Sequence, residues 1–196
     1  MMRSLWILVL ALMLGACDAV HTLEPVGGPL PADSELDLTG LWRAQDGEVG
    51  RIVQLAGGEL RLASVQWDEQ QETFTLEQFE GLLTHDEGAY YLNVRLPEDE
   101  GRDDEPAHYS FQRVLVGDGH LVLLEPKVPH FEAAVEAGEL AGRVERRERY
   151  RIVHVEADRE ALTRFVRPEA VGEQFRVDRP VVLERLTPLR ERDAGR

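Results

Sequence analysis

Three hydrophobic patterns divide the chain. Residues 5–14 form an unbroken apolar run, Leu-Trp-Ile-Leu-Val-Leu-Ala-Leu-Met-Leu. Residues 19–38 hold few large apolar side chains among Pro25, Gly27, Gly28, Pro29 and Pro31. From Thr39 onward, apolar and polar residues alternate with period two, which places successive side chains on opposite faces of a strand. This alternation predicts strands at 40–43, 50–56, 59–68, 73–84, 89–96, 109–116 and 120–125. Gly57-Gly58 and Gly117-Asp118-Gly119 supply the positive φ that tight hairpins require, and Asp86-Glu87-Gly88 predicts a third turn.

The period then changes. Residues 128–137 read as a helix that begins with Pro129 and stops at Gly138, with Phe131, Ala134 and Val135 on one face. A strand is expected over 144–155. Asp158 caps a second short helix that runs through Phe165 and carries Leu162, Phe165 and Val166 as its apolar stripe. A last strand at 181–186 precedes a charged tail, 191–196.

An antiparallel meander of this length must curl or close to bury its apolar face and protect its edges. The expected fold is therefore mainly β, a barrel or half-barrel with two short helices in the C-terminal third. The inward-facing candidates are Trp42, Ile52, Leu60, Leu62, Val65, Phe74, Leu82, Leu92, Val94, Phe111, Val114, Leu121 and Leu123. Trp42, Phe74 and Phe111 are the candidate residues for lining a ligand cavity. Segment 17–38, too polar and too rich in Pro and Gly to offset its ordering entropy, reads as a flexible tether ahead of one domain at 39–190.

Arg3 followed by ten apolar residues suits a cleaved signal peptide and is too short for a bilayer core, which needs about twenty. Leu14, Gly15, Ala16 and Cys17 follow, and this string resembles the lipobox of bacterial lipoproteins. The resemblance implies cleavage after residue 16 and a diacylglyceryl group on Cys17. Two acyl chains hold a soluble domain on a membrane stably, where one would bind marginally. Asp18 stands where, by the same resemblance, an acid acts as a sorting signal for the inner rather than the outer membrane. The domain would then face the periplasm.

The mature chain also resembles small bacterial lipoproteins of unassigned function with a lipocalin-like antiparallel sheet. The likeness rests on Leu41-Trp42, the span from Tyr109 to Leu124, the Phe131 to Leu140 segment with its Gly138-Glu139-Leu140 step, and Leu162 to Phe175. It implies a fold and a location and brings no catalytic residues.

Composition narrows the function classes. The chain has 196 residues with 43% apolar and 30% charged residues, as in globular proteins. Its formal charge of −15 speaks against a nucleic-acid partner and against polybasic attraction to lipid headgroups. Cys17 is the only cysteine, so no internal disulfide can form. Ser34, Ser64 and Ser110 lack a nucleophile-elbow setting. His130/Glu132 and His154/Glu156 are the nearest approaches to metal-ligand spacing. The first pair does not converge in a helical turn, and the second reads as an exposed charge pair. The acidic run at 97–106 lacks the ligand order of a Ca²⁺ loop and reads as a solvated connection. No cofactor or metal is expected. The functional expectation is a non-enzymatic envelope lipoprotein with a structural or partner-binding role, held to the membrane by lipid on Cys17 and meeting an envelope protein partner. The alternative is a carrier of a small apolar ligand.

Overall fold

The structure, a computed structural model, describes residues 18–68, 72–97, 108–148 and 150–186, without the side chains of Gln66 and Asp68. Leu14, Gly15, Ala16, Cys17, the acidic run at 98–106 and the tail at 191–196 lie outside the described residues.

The strands are β1 (Asp18–Thr22), β2 (Gly28–Pro29), β3 (Gly40–Ala44), β4 (Val49–Gln54), β5 (Glu59–Asp68), β6 (Thr73–Asp86), β7 (Ala89–Arg95), β8 (Tyr109–Gly117), β9 (His120–Leu124), β10 (Gly142–Arg146), β11 (Arg151–Val155) and β12 (Val181–Leu186). Three short helices accompany them, α1 (Val128–Glu136), α2 (Arg159–Phe165) and α3 (Val171–Gln174). Strands β3 to β9 form a continuous antiparallel meander. Strand β12 then pairs antiparallel with both β3 and β9. The ring closes at eight strands, so the expected barrel is complete rather than half-open.

Its interior is a core of Trp42, Ile52, Leu60, Leu83, Leu92, Val94, Val114, Leu121 and Leu123, closed at one end by Leu38. The Leu38 carbonyl accepts from Trp42 Nε1 at 2.8 Å, and Leu38 N donates to Gln54 Oε1 at 3.0 Å.

A second layer covers the outside of the wall. The N-terminal end of β8 pairs with β1, β1 runs parallel to β11, and β11 pairs antiparallel with β10. Helices α1 and α2 pack on this extension. Phe131, Leu162, Val153, Val155 and Val20 bury themselves against Tyr91, Phe111 and Phe175. Strand β7 is therefore apolar on both faces: Leu92 and Val94 serve the lumen, Ala89 and Tyr91 the outer core. Asp158 caps α2 as expected by accepting from Ala161 N, and α1 ends at Gly138 with φ 74°.

Several expectations need correction. Segment 17–38 is not a tether over its described residues. Asp18–Thr22 is a sheet strand between β8 and β11, and Val20, Val26 and Leu38 are buried. The domain thus begins by residue 18, not at 39. The Pro- and Gly-rich composition serves close packing instead. Gly27, at φ 83°, lies so near Thr84 and Tyr91 that a Cβ there would sit 3.1 Å from Thr84 Oγ1. The single strand expected over 144–155 is the hairpin β10–β11. The third helix, α3, was hidden behind Pro168, which begins a single 3-10 turn leading into it.

Candidate functional site

The lumen is nearly filled. Its cavity, bordered by Trp42, Ile52, Leu62, Phe79, Leu92 and Leu121 among others, measures about 80 Å³. Sites for drug-sized ligands run from about 300 Å³ upward. Of the three residues expected to line a ligand cavity, Trp42 alone faces this space. Phe111 points to the other side of the wall and packs edge-on against Phe131, ring centroids 5.6 Å apart. Phe74 is 69% exposed on the outside of the β5–β6 hairpin. Val65 and Leu82 also point outward, because Val65 shares a face with Trp67, and Leu82 with Phe74, by strand parity.

A larger space lies where the sheet forks. Strand β8 pairs with β1 only at Tyr109 and Ser110, and with β9 only from Arg113 onward. Between the two branches, at Phe111 and Gln112, neither strand takes up that edge of β8. The gap opens into a groove of about 410 Å³ lined by Asp18, Ala19 and Val20 of β1, Ser110–Gln112 of β8, residues 125–130, Arg176 and Asp178. Its apolar part is Val20, Phe111, Pro126, Val128 and Pro129.

The polar part of the groove is under-satisfied. Ser110 Oγ, Gln112 Oε1 and His130 Nε2 are buried without a hydrogen-bond partner among the described atoms, and Gln112 is only 3% exposed. Burial raises the Glu125 carboxyl above the usual carboxylate range, against the opposing pull of Arg176, whose Nη1 is 3.4 Å away. Burial likewise holds the His130 imidazole below its ordinary value. The groove walls are fixed by bonds to main-chain carbonyls. Lys127 N donates to Gln174 O, Arg176 N donates to Glu125 O, and Lys127 Nζ donates to Gly172 O. At the open end, Asp18 is bound by Arg151 (2.7 Å), and Arg151 also binds the mostly buried Glu132 (2.5 Å), which a second guanidinium, Arg146, contacts as well.

Sequence reading missed this site, although one signal was present. Ser110 and Gln112 are polar at positions that face the same way as Val114, opposite the inward Leu92 and Val94. Polar residues at inward strand positions mark either a network or a site.

A histidine cluster occupies the β1–β11 seam. His154 lies edge-on to both His21 and His108, with centroids 5.7 Å apart in each case, and its Nε2 is 3.5 Å from Glu145 Oε2. Burial, reinforced by the neighbouring His154 and His108, pushes the His21 pKa down to about 4. The metal-spacing pairs do not converge. Glu156 pairs with Arg143 and Glu132 with Arg151, while the His130 ring lies against Phe165. Among the described residues, no three His, Cys, Asp or Glu side chains are placed to hold a metal ion.

Comparison with known proteins returns no match, whether to a family profile, a curated protein or a solved structure.

Proposed function

We propose that the chain is a lipoprotein anchored through Cys17 on the periplasmic side of a bacterial membrane, where its barrel has a non-enzymatic role as a binding module. The Leu14-Gly15-Ala16-Cys17 string supports the anchor. Asp18, by the lipoprotein resemblance, favours the inner membrane.

The observation that carries the binding role is the forked groove, with three buried polar atoms that lack partners among the described residues. Each such group costs about 1–3 kcal/mol when unsatisfied, and an envelope protein offering N–H or O–H groups relieves that cost. The groove begins at Asp18, so its partner is engaged close to the lipid. The carrier reading finds no comparable space in the lumen.

A photoreactive amino acid at the exposed rim position Asp178 tests the binding role. It is expected to crosslink one specific envelope protein in cells, and Gln112→Leu, which keeps the volume but removes the carbonyl, is expected to abolish that product. No product, or a product indifferent to Gln112→Leu, contradicts the reading.

A further inference from the structure

Among the described strands, β1 alone ties the β10–β11 hairpin into the sheet, and it stands outside the closed eight-strand ring. Its hold is uneven. It pairs with β11 along its whole length but with β8 only at His21 and Thr22. Leu23 N still donates to Val155 O at 3.1 Å, and the chain is pinned again at Val26, whose N donates to Asn93 Oδ1 at 2.8 Å. Residues 18–23 can therefore leave the sheet while the barrel and the Val26 anchorage stay in place.

Three imidazoles meet on one face of that seam. His21 belongs to β1, His154 to β11, and His108 stands just ahead of β8; His154 lies edge-on to both of the others at 5.7 Å. Register and strand parity set Ser110 of β8, Arg143 and Glu145 of β10, and the flanking Arg147 and Glu156 on the same face. The described carboxylates there are already engaged, Glu145 by Arg147 at 2.8 Å and Glu156 by Arg143 at 3.4 Å. His154 is 9% exposed, and neither of its ring nitrogens has a hydrogen-bond partner among the described atoms. Glu145 Oε2 stands 3.5 Å from Nε2, too long for a good hydrogen bond. A second positive ring in this cluster would meet another cation and no free described carboxylate.

We infer that β1 is an acid-released strap: protonation of the His21–His108–His154 cluster drives residues 18–23 out of the sheet while the eight-strand barrel stays folded. The direction follows from the surroundings. In the sheet His21 is held neutral by burial and by the two neighbouring imidazoles, and His154 by burial and by Arg143. Once β1 leaves, His21 titrates near its ordinary 6.5, so falling pH favours the released form. Release takes Asp18, Ala19 and Val20 out of the groove wall. The inference needs neither the anchor nor a partner in the groove.

Hydrogen exchange of the full chain, expressed as protection relative to the unstructured-peptide rate at each pH, tests the strap. Between about pH 7.5 and about pH 5, the β1 amides are expected to lose protection about ten-fold or more, while those of β5, β6 and β7 keep theirs. His21→Leu and, separately, His154→Phe, which keeps a ring that cannot ionise, are expected to hold β1 in the sheet at the lower pH. His120→Gln, at an exposed histidine of β9, is expected to behave as the parent. The parent alone can overturn the inference, by β1 protection that survives at the lower pH or by barrel amides that lose protection in step with β1. It is equally overturned if both seam variants release β1 at the lower pH as the parent does, if both leave β1 unprotected already at the higher pH, or if His120→Gln retains β1 as they do.

Discussion

Asn93 fastens the N-terminal segment to the barrel. Fully buried on β7, it accepts from Val26 N at 2.8 Å through Oδ1 and donates from Nδ2 to Thr84 Oγ1 at 2.9 Å. Thr84 Oγ1 donates in turn to the Val26 carbonyl. An amide side chain thus does for Val26 what a neighbouring strand does elsewhere. Asn93→Leu preserves volume but strands the Val26 N–H, and is expected to lower unfolding free energy by about 2–3 kcal/mol in urea titrations. His21 makes a second residue-scale prediction. Its folded pKa of about 4 lies below the ordinary 6.5. Between those values the unfolded chain takes up a proton that the folded chain refuses. Stability is therefore full above pH 6.5 and declines as pH falls toward 4, by up to about 3 kcal/mol from this group. His154 and His130, also held down by burial, add in the same direction. Urea midpoints measured from about pH 7.5 to about pH 4.5 are expected to fall steeply for the parent and more gently for His21→Leu.

At the scale of elements, β1 is the part whose role changes most. If Asp18–Thr22 were a tether, Val20→Asp would be silent. As a sheet strand with Val20 in the outer core, it is expected to lose at least about 3 kcal/mol in the same titration, because the carboxylate would be buried without a partner. What made β1 hard to read is its partner. Asp18 pairs with Arg151, far along the chain, and a parallel pairing over that separation leaves no local trace. The meander was legible because its hairpins are local and their turns announce themselves. Strand β5 runs over Glu59–Asp68, as its alternation predicts. Helix α1 and the Asp158 cap were legible for the same reason. Alternation failed where apolar residues change faces. Leu60 and Leu62 point inward, but Val65 and Trp67 have the opposite parity and point outward. Assigning every large apolar residue to the lumen therefore misplaced Val65 and Phe74. The groove was illegible for a different reason: it arises where two strands that pair with β8 part company, which only the assembled sheet reveals.

At the scale of the whole molecule, register gives the barrel a direction. Strand β1 is antiparallel to β8, so Asp18 stands at the end of β1 nearer the β6–β7 turn at Asp86 and Ala89. The apolar face near Trp67 and Phe74 lies at the other end of β6, about twelve residues and ~40 Å away along the strand. On the proposed anchor, lipid on Cys17 would hold the groove near the bilayer, with the hairpin directed away from it. All of this rests on the anchor, and the most direct measurement is membrane fractionation of Cys17→Ser. The parent is expected to stay with membranes through a high-salt wash and to partition into detergent. The Cys17→Ser chain is expected to accumulate as an unlipidated precursor that no longer enters the detergent phase. Its retention with washed membranes, in the same proportion as the parent, would contradict the account.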